Sequence, residues 1–69
     1  MTDNEIKNYF GDNTVYKFIG TPDQIVPLLI DKGIAVNYIV ANYTVYLTCS
    51  ESLDSMLNDS LSVFSTPGV

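Results

Sequence analysis

The sequence predicts a small α+β sandwich, and three observations carry that reading. Two helix-start signatures, Thr2-Asp3-Asn4-Glu5 and Thr21-Pro22-Asp23-Gln24, each open a segment that a glycine closes, at Gly11 and Gly33. A β-branched and aromatic run, Val15-Tyr16-Lys17-Phe18-Ile19, lies between them. From Ile34 to Cys49 side chains alternate with the period of two that half-buried strands require.

The first signature predicts a short helix at about 3–10. In the Ser/Thr-x-x-Glu form each side chain satisfies an amide that the opening turn leaves unpaired, and Gly11 stops the helix after Phe10. Asp12-Asn13 then turns the chain into a strand at 15–19, which Gly20 closes. Pro22 occupies the first position of the next helix, where a fixed φ is an advantage, and Ile25, Leu28 and Leu29 follow at helical spacing. Pro27 removes an amide and crowds the preceding turn, so a late start or a kink is expected there.

Two strand-like runs flank Ala41-Asn42. Any even-length loop at that point places Ile34, Val36, Tyr38 and Val40 on the same face as Tyr43, Val45, Leu47 and Cys49, a face suited to burial. Ala35, Asn37, Ile39, Thr44, Tyr46 and Thr48 collect on the other, more polar face. Ser50-Glu51-Ser52 reads as the start of a further helix, with Leu53, Met56 and Leu57 as its apolar stripe and Asn58-Asp59 as its stop. Leu61 to Ser65 is either a short edge strand or a continuation of that helix. Pro67-Gly68 ends the ordered part and leaves 66–69 as a flexible tail.

The order after the leading helix of residues 1–11 is thus β-α-β-β-α(-β), the ferredoxin-like split βαβ arrangement, with two helices on one face of an antiparallel sheet. No repeat, low-complexity tract or linker divides the chain, so residues 1–69 form one small domain. At this size a single core stabilises a fold by only about 3–5 kcal/mol.

Composition narrows the function. Hydrophobic residues make up 46% of the chain, which argues against disorder. Three Lys/Arg stand against eight Asp/Glu, for a formal charge of −5, and all three cations are lysine. Bidentate recognition of phosphate or guanine needs arginine, so no direct nucleic-acid partner is expected. The single cysteine, Cys49, has no internal disulfide partner, the opening MTDNEIKNYF lacks the features of a signal peptide, and no apolar run approaches the roughly 18–20 residues of a membrane span. A cytoplasmic location without a membrane partner is the expectation.

Enzyme chemistry is not expected either. The chain has no histidine, the commonest general base, and Cys49 ends an alternating strand on the core face with no adjacent cation to lower its pKa. The carboxylates are accounted for one by one. Asp3, Glu5, Asp23, Glu51 and Asp54 fall in first turns of expected helices, where the helix dipole favours them, and Asp12, Asp31 and Asp59 fall in turns or at a helix end. With no Gly-rich phosphate loop or EF-hand spacing, no cofactor or metal is expected.

Binding to another protein is the remaining function. The more polar sheet face offers Lys17, Asn37, Ile39, Thr44, Tyr46 and Thr48 as a contact surface, with Tyr46 as anchor because tyrosine brings area and a hydrogen-bonding tip at low entropy cost. A semi-apolar face of this kind needs cover, which the leading helix, a second copy in a homodimer or a foreign partner would each supply. Imitation of nucleic acid is weaker, because the acids are scattered caps and form no row. Asn, Ile, Tyr and Asp outnumber Arg and Ala, a balance common in AT-rich genomes, and small chains without catalytic residues are frequent in bacteriophages. The expectation is a phage or mobile-element protein that inhibits or redirects a host protein, such as a defence or nucleic-acid enzyme, in the host cytoplasm.

An alternative comes from Phe18-Ile19-Gly20-Thr21-Pro22 followed by Leu28-Leu29-Ile30-Asp31-Lys32-Gly33-Ile34. This stretch, under a third of the chain, resembles the strand–loop–helix–strand start of ACT regulatory domains. The resemblance implies a small-molecule-sensing module with its ligand near the loop after the first strand, and it assigns no ligand residues.

Overall fold

The computed structural model describes residues 2–67. Helix α1 spans Asp3–Phe10, where the Thr2 hydroxyl accepts from the Glu5 amide at 3.2 Å while the Glu5 carboxylate accepts from the Thr2 amide at 3.1 Å. Gly11 follows at φ 66, a conformation that glycine adopts without a Cβ penalty, and its amide donates to the Lys7 carbonyl. Strand β1 (Val15–Ile19) leads into α2 (Pro22–Asp31). At that junction the Gln24 side chain accepts from the Thr21 amide at 3.0 Å, and the Gln24 amide donates to the Thr21 carbonyl. Gly20 sits at φ 148, a backbone conformation that L side chains rarely adopt, and a Cβ there would crowd the Gln24 side chain and the Phe18 ring.

Pro27 neither delays nor breaks α2. It is solvent-exposed, and the carbonyl that loses its donor belongs to the exposed Asp23 in the first turn, where solvent can reach it.

Strands β2 (Val36–Ala41) and β3 (Thr44–Cys49) form the expected hairpin, and β4 (Leu61–Ser65) completes an antiparallel sheet of order β2-β3-β1-β4. The open choice for residues 61–65 is thereby decided in favour of a strand, paired with β1. Register divides the side chains as alternation requires. Tyr16 lies opposite Leu47 and Val63, and Tyr38 opposite Leu47, on one face; Lys17 lies opposite Tyr46, and Ile39 opposite Tyr46, on the other.

The layering differs from the expected one in two respects. First, the same-face pair expected of α2 and a helix from Ser50 does not form, and the two helices on the sheet are α2 and the leading α1, one on each face. Ile25 and Leu29 of α2 enter a core with Tyr16, Val45, Leu47, Leu53 and Leu61, whereas Ile6 and Phe10 of α1 pack with Val15 and Tyr46 on the opposite side. The sheet is sandwiched between one helix on each face.

Second, the helix expected from Ser50 is a single 3₁₀ turn, Asp54–Met56. Short polar side chains capture the backbone before a helix propagates. Ser52 Oγ accepts from the Asp54 amide at 3.2 Å, and Asn58 Oδ1 accepts from the amides of Ser60 and Leu61 at 2.8 and 3.0 Å. The buried Leu53 amide donates instead to the Tyr16 hydroxyl at 3.1 Å, which pins this loop to the sheet. Of the tail expected at 66–69, residues 68 and 69 lie outside the described residues.

Candidate protein-binding surface

The six strand positions singled out as a contact surface do share one face, but α1 lies over its centre. Tyr46 is only 9% exposed, packed by Ile6, Phe10 and Val15, with its ring 5.0 Å from that of Phe64 in an edge-on contact. Ile39 is half-buried against the same cluster. Lys17, Thr44 and Thr48 are half-buried, and among the six only Asn37 is freely exposed. While α1 is docked, Tyr46 serves as core. The leading helix is the cover that this face required.

The exposed apolar surface lies elsewhere, at the hairpin turn and along β2. Ala41 pairs with Thr44, so Asn42 and Tyr43 alone make the turn, at φ 52 and 60. Both central residues at positive φ define a type I′ turn, whose twist matches that of the flanking strands. Asn42 suits its position. Tyr43 does not, since the second central position favours glycine and the left-handed conformation costs a bulky residue about 1 kcal/mol. The Tyr43 side chain is nevertheless 93% exposed and gains almost nothing from the fold.

Beside it, a groove of about 600 Å³ is lined by Gly20, Thr21, Pro22, Val40, Asn42 and Tyr43. The loop that ends β1, the first turn of α2 and the hairpin meet here, and the walls carry no charged side chain. Val40 is half exposed, and Tyr38 stands two residues along on the same face.

A second hollow, of about 380 Å³, lies near the end of β3 and is polar, with Thr14, Thr48, Cys49, Ser50, Glu51 and Asp54 among its walls. Burial pushes the Cys49 thiol up from its usual pKa, and its Sγ donates to the Glu51 carbonyl at 2.9 Å. A thiol in that state is a poor nucleophile. Among the described residues no three acids, cysteines or histidines gather as metal ligands, and no helix is long and apolar enough to cross a membrane.

No protein-family model matches the chain, and neither a curated protein nor a solved structure matches it with significance.

Strand parity placed Tyr43 on the face suited to burial, and the structure corrects this: the turn is Asn42-Tyr43, one residue beyond Ala41-Asn42, so Tyr43 lies outside the alternating strands and is exposed. The available signal was the two-residue loop: an even loop between Ala41 and Thr44 leaves Asn42-Tyr43 in positions that normally demand left-handed backbone.

Proposed function

We propose that the chain is a non-enzymatic protein-binding modulator that engages its partner through the hairpin turn, with Tyr43 as the inserted anchor and the neighbouring groove as the receptor for an apolar side chain. The observation that carries this reading is the position of Tyr43, held almost fully exposed in a backbone conformation that glycine would adopt at lower cost. Strain kept where it gives the fold nothing points to a use outside the fold. Tyrosine is also among the residues that dominate interface energetics. A host protein as the target, expected from composition, belongs to the same proposal, as does a kinship of the strand order β4-β1-β3-β2 with ferredoxin-like sandwiches.

Tyr43→Gly tests it through two opposed effects. The variant is expected to gain about 1 kcal/mol of stability as the turn relaxes. In quantitative affinity capture it should lose a protein that the parent chain retains. If every retained protein binds both forms equally, the turn is not the contact.

One observation favours the sensing alternative. The groove includes Gly20, Thr21 and Pro22, the loop after the first strand, where the resemblance to ACT domains implies a ligand. Its uncharged walls suit an apolar molecule better than a free amino acid. A thermal-shift series separates the two readings, since stabilisation by a small apolar ligand, unaccompanied by Tyr43-dependent capture, would favour the sensor.

A further inference from the structure

The two edges of the sheet are built differently. At β4 the register slips between Val15 and Tyr16, the Lys7 ammonium stands 5.7 Å from the centre of the Phe64 ring, and Asp59 precedes the strand. A bulge and nearby charges are devices that keep a foreign strand from adding to an edge. The β2 edge has none of them. Its register runs unbroken from Val36 opposite Cys49 to Ala41 opposite Thr44, and neither a charged residue nor a proline occurs between Lys32 and Glu51.

The two-residue turn also settles which backbone groups of β2 are unpaired. Ala41 and Thr44 close the hairpin as a hydrogen-bonded pair, so Ala41, Ile39 and Asn37 direct their amides and carbonyls toward β3. The Ser50 amide donating to the Ala35 carbonyl continues the same alternation. Val36, Tyr38 and Val40 therefore turn theirs outward. Their side chains all lie on the α2 face, where Tyr38 is 41% and Val40 51% exposed. Pro22 shares the groove with Val40, which puts the helix row Pro22, Val26 and Ile30 on the β2 side of α2. Ile30 at the end of that row is exposed as well.

We infer that β2 pairs with β2 of a second copy, antiparallel about a two-fold axis at Tyr38. An open edge accepts an extended strand, and this strand is complementary to itself. With the axis at Tyr38, each Tyr38 meets its equivalent, and Val36 meets Val40 of the partner subunit. Every outward-facing residue thus finds an apolar counterpart and hydrogen-bonded backbone. The axis stands perpendicular to the sheet and keeps both α2 helices on one face, running in opposite directions. The end of one, which carries both Asp31 and Lys32, then lies on the side of the Asp23 end of the other, so the helix dipoles are antiparallel and complementary. Two four-stranded sheets become one of eight strands, and the apolar α2 rows face each other across the seam. The pairing does not depend on the contact proposed at Tyr43.

Sedimentation velocity on the full chain provides the first test. The 7.6 kDa chain is expected to shift to a dimer with a midpoint on the order of tens of micromolar, as suits a small interface. Val40→Lys places a charge on the edge and should weaken association at least tenfold, while Val63→Lys on β4 should leave it unchanged. Both positions are exposed, and circular dichroism checks that each variant folds.

Crosslinking tests the register. In a Cys49→Ser background, Tyr38→Cys should oxidise readily to a covalent dimer, because equivalent Cα atoms in a hydrogen-bonded pair lie about 5.5 Å apart. Val40→Cys should not, since its equivalent lies roughly 14 Å away along the paired strands. A chain that stays monomeric at about 500 µM, roughly tenfold or more above the expected midpoint, would overturn the inference. Disruption by Val63→Lys alone, or preferential crosslinking through Val40→Cys, would overturn it equally.

Discussion

The two faces of the sheet carry one helix each, yet they are not equivalent. On the α2 side, residues from the helix, the strands and two connecting segments converge, and Leu29, Val45, Leu47 and Leu53 are completely buried. On the α1 side the buried cluster is smaller, with Ile6 and Phe10 closing over Val15 and Tyr46. The difference follows from connectivity. Helix α2 joins β1 to β2, two places away across β3, so it is tied to the sheet at both ends. Among the described residues helix α1 is joined to the sheet through Gly11–Thr14 alone, and its docking rests on what it buries. One layer makes the fold, and the other makes a surface into a core.

The largest expected effect breaks the stronger side. Leu47→Ala empties a fully buried position at the centre of the sheet and should cost about 3–4 kcal/mol, most of what a domain of this size has. Circular dichroism at room temperature should show a largely unfolded chain. Ile6→Ala addresses the weaker side and is expected to cost about 2–3 kcal/mol. Its signature is uneven: hydrogen exchange should show α1 amides losing protection well before those of β1 and β3. Equal loss in both would mean that the two layers form one cooperative unit.

Tyr16→Phe sharpens the comparison, because Tyr16 links the α2-side core to the loop that replaced a helix. The substitution leaves the buried Leu53 amide without its acceptor and should cost about 1–2 kcal/mol in chemical denaturation. The smallest effect concerns the cap of α1. Hydrogen bonds from the Thr2 backbone and hydroxyl hold the Glu5 carboxyl below its usual pKa, so folding favours the carboxylate. That contribution is complete above the ordinary glutamate range and fades as pH falls through the depressed value. Acid titration followed by NMR should therefore loosen α1 ahead of the sheet, and Thr2→Ala should abolish this pH response.

Much of the fold was legible in local signals. The capping pairs Thr2/Glu5 and Thr21/Gln24 announced both helices, and alternation assigned the side chains of 36–41 and 44–49 to their faces, failing only at Tyr43, which belongs to the turn. The segment after Cys49 was misread although its clues were local too. Ser52 and Asn58 are residues that compete for backbone amides, and they outweighed the helical spacing of Leu53, Met56 and Leu57.

The candidate surface was legible only in part, and the reason is the range of the interactions involved. Period-two alternation is a property of the strand itself, so the sequence alone determined that Ile39 and Tyr46 share a face across an even loop, whereas the register of β1 on β3 brought Lys17 to it. Which element covers that face depends on α1 folding back across it, a contact between distant residues that no local pattern encodes. Tertiary structure alone made Tyr46 core, left Tyr43 exposed in a strained turn, and set β2 as the open edge of the sheet. Alternation assigns residues to faces, and packing decides which faces and edges remain in water.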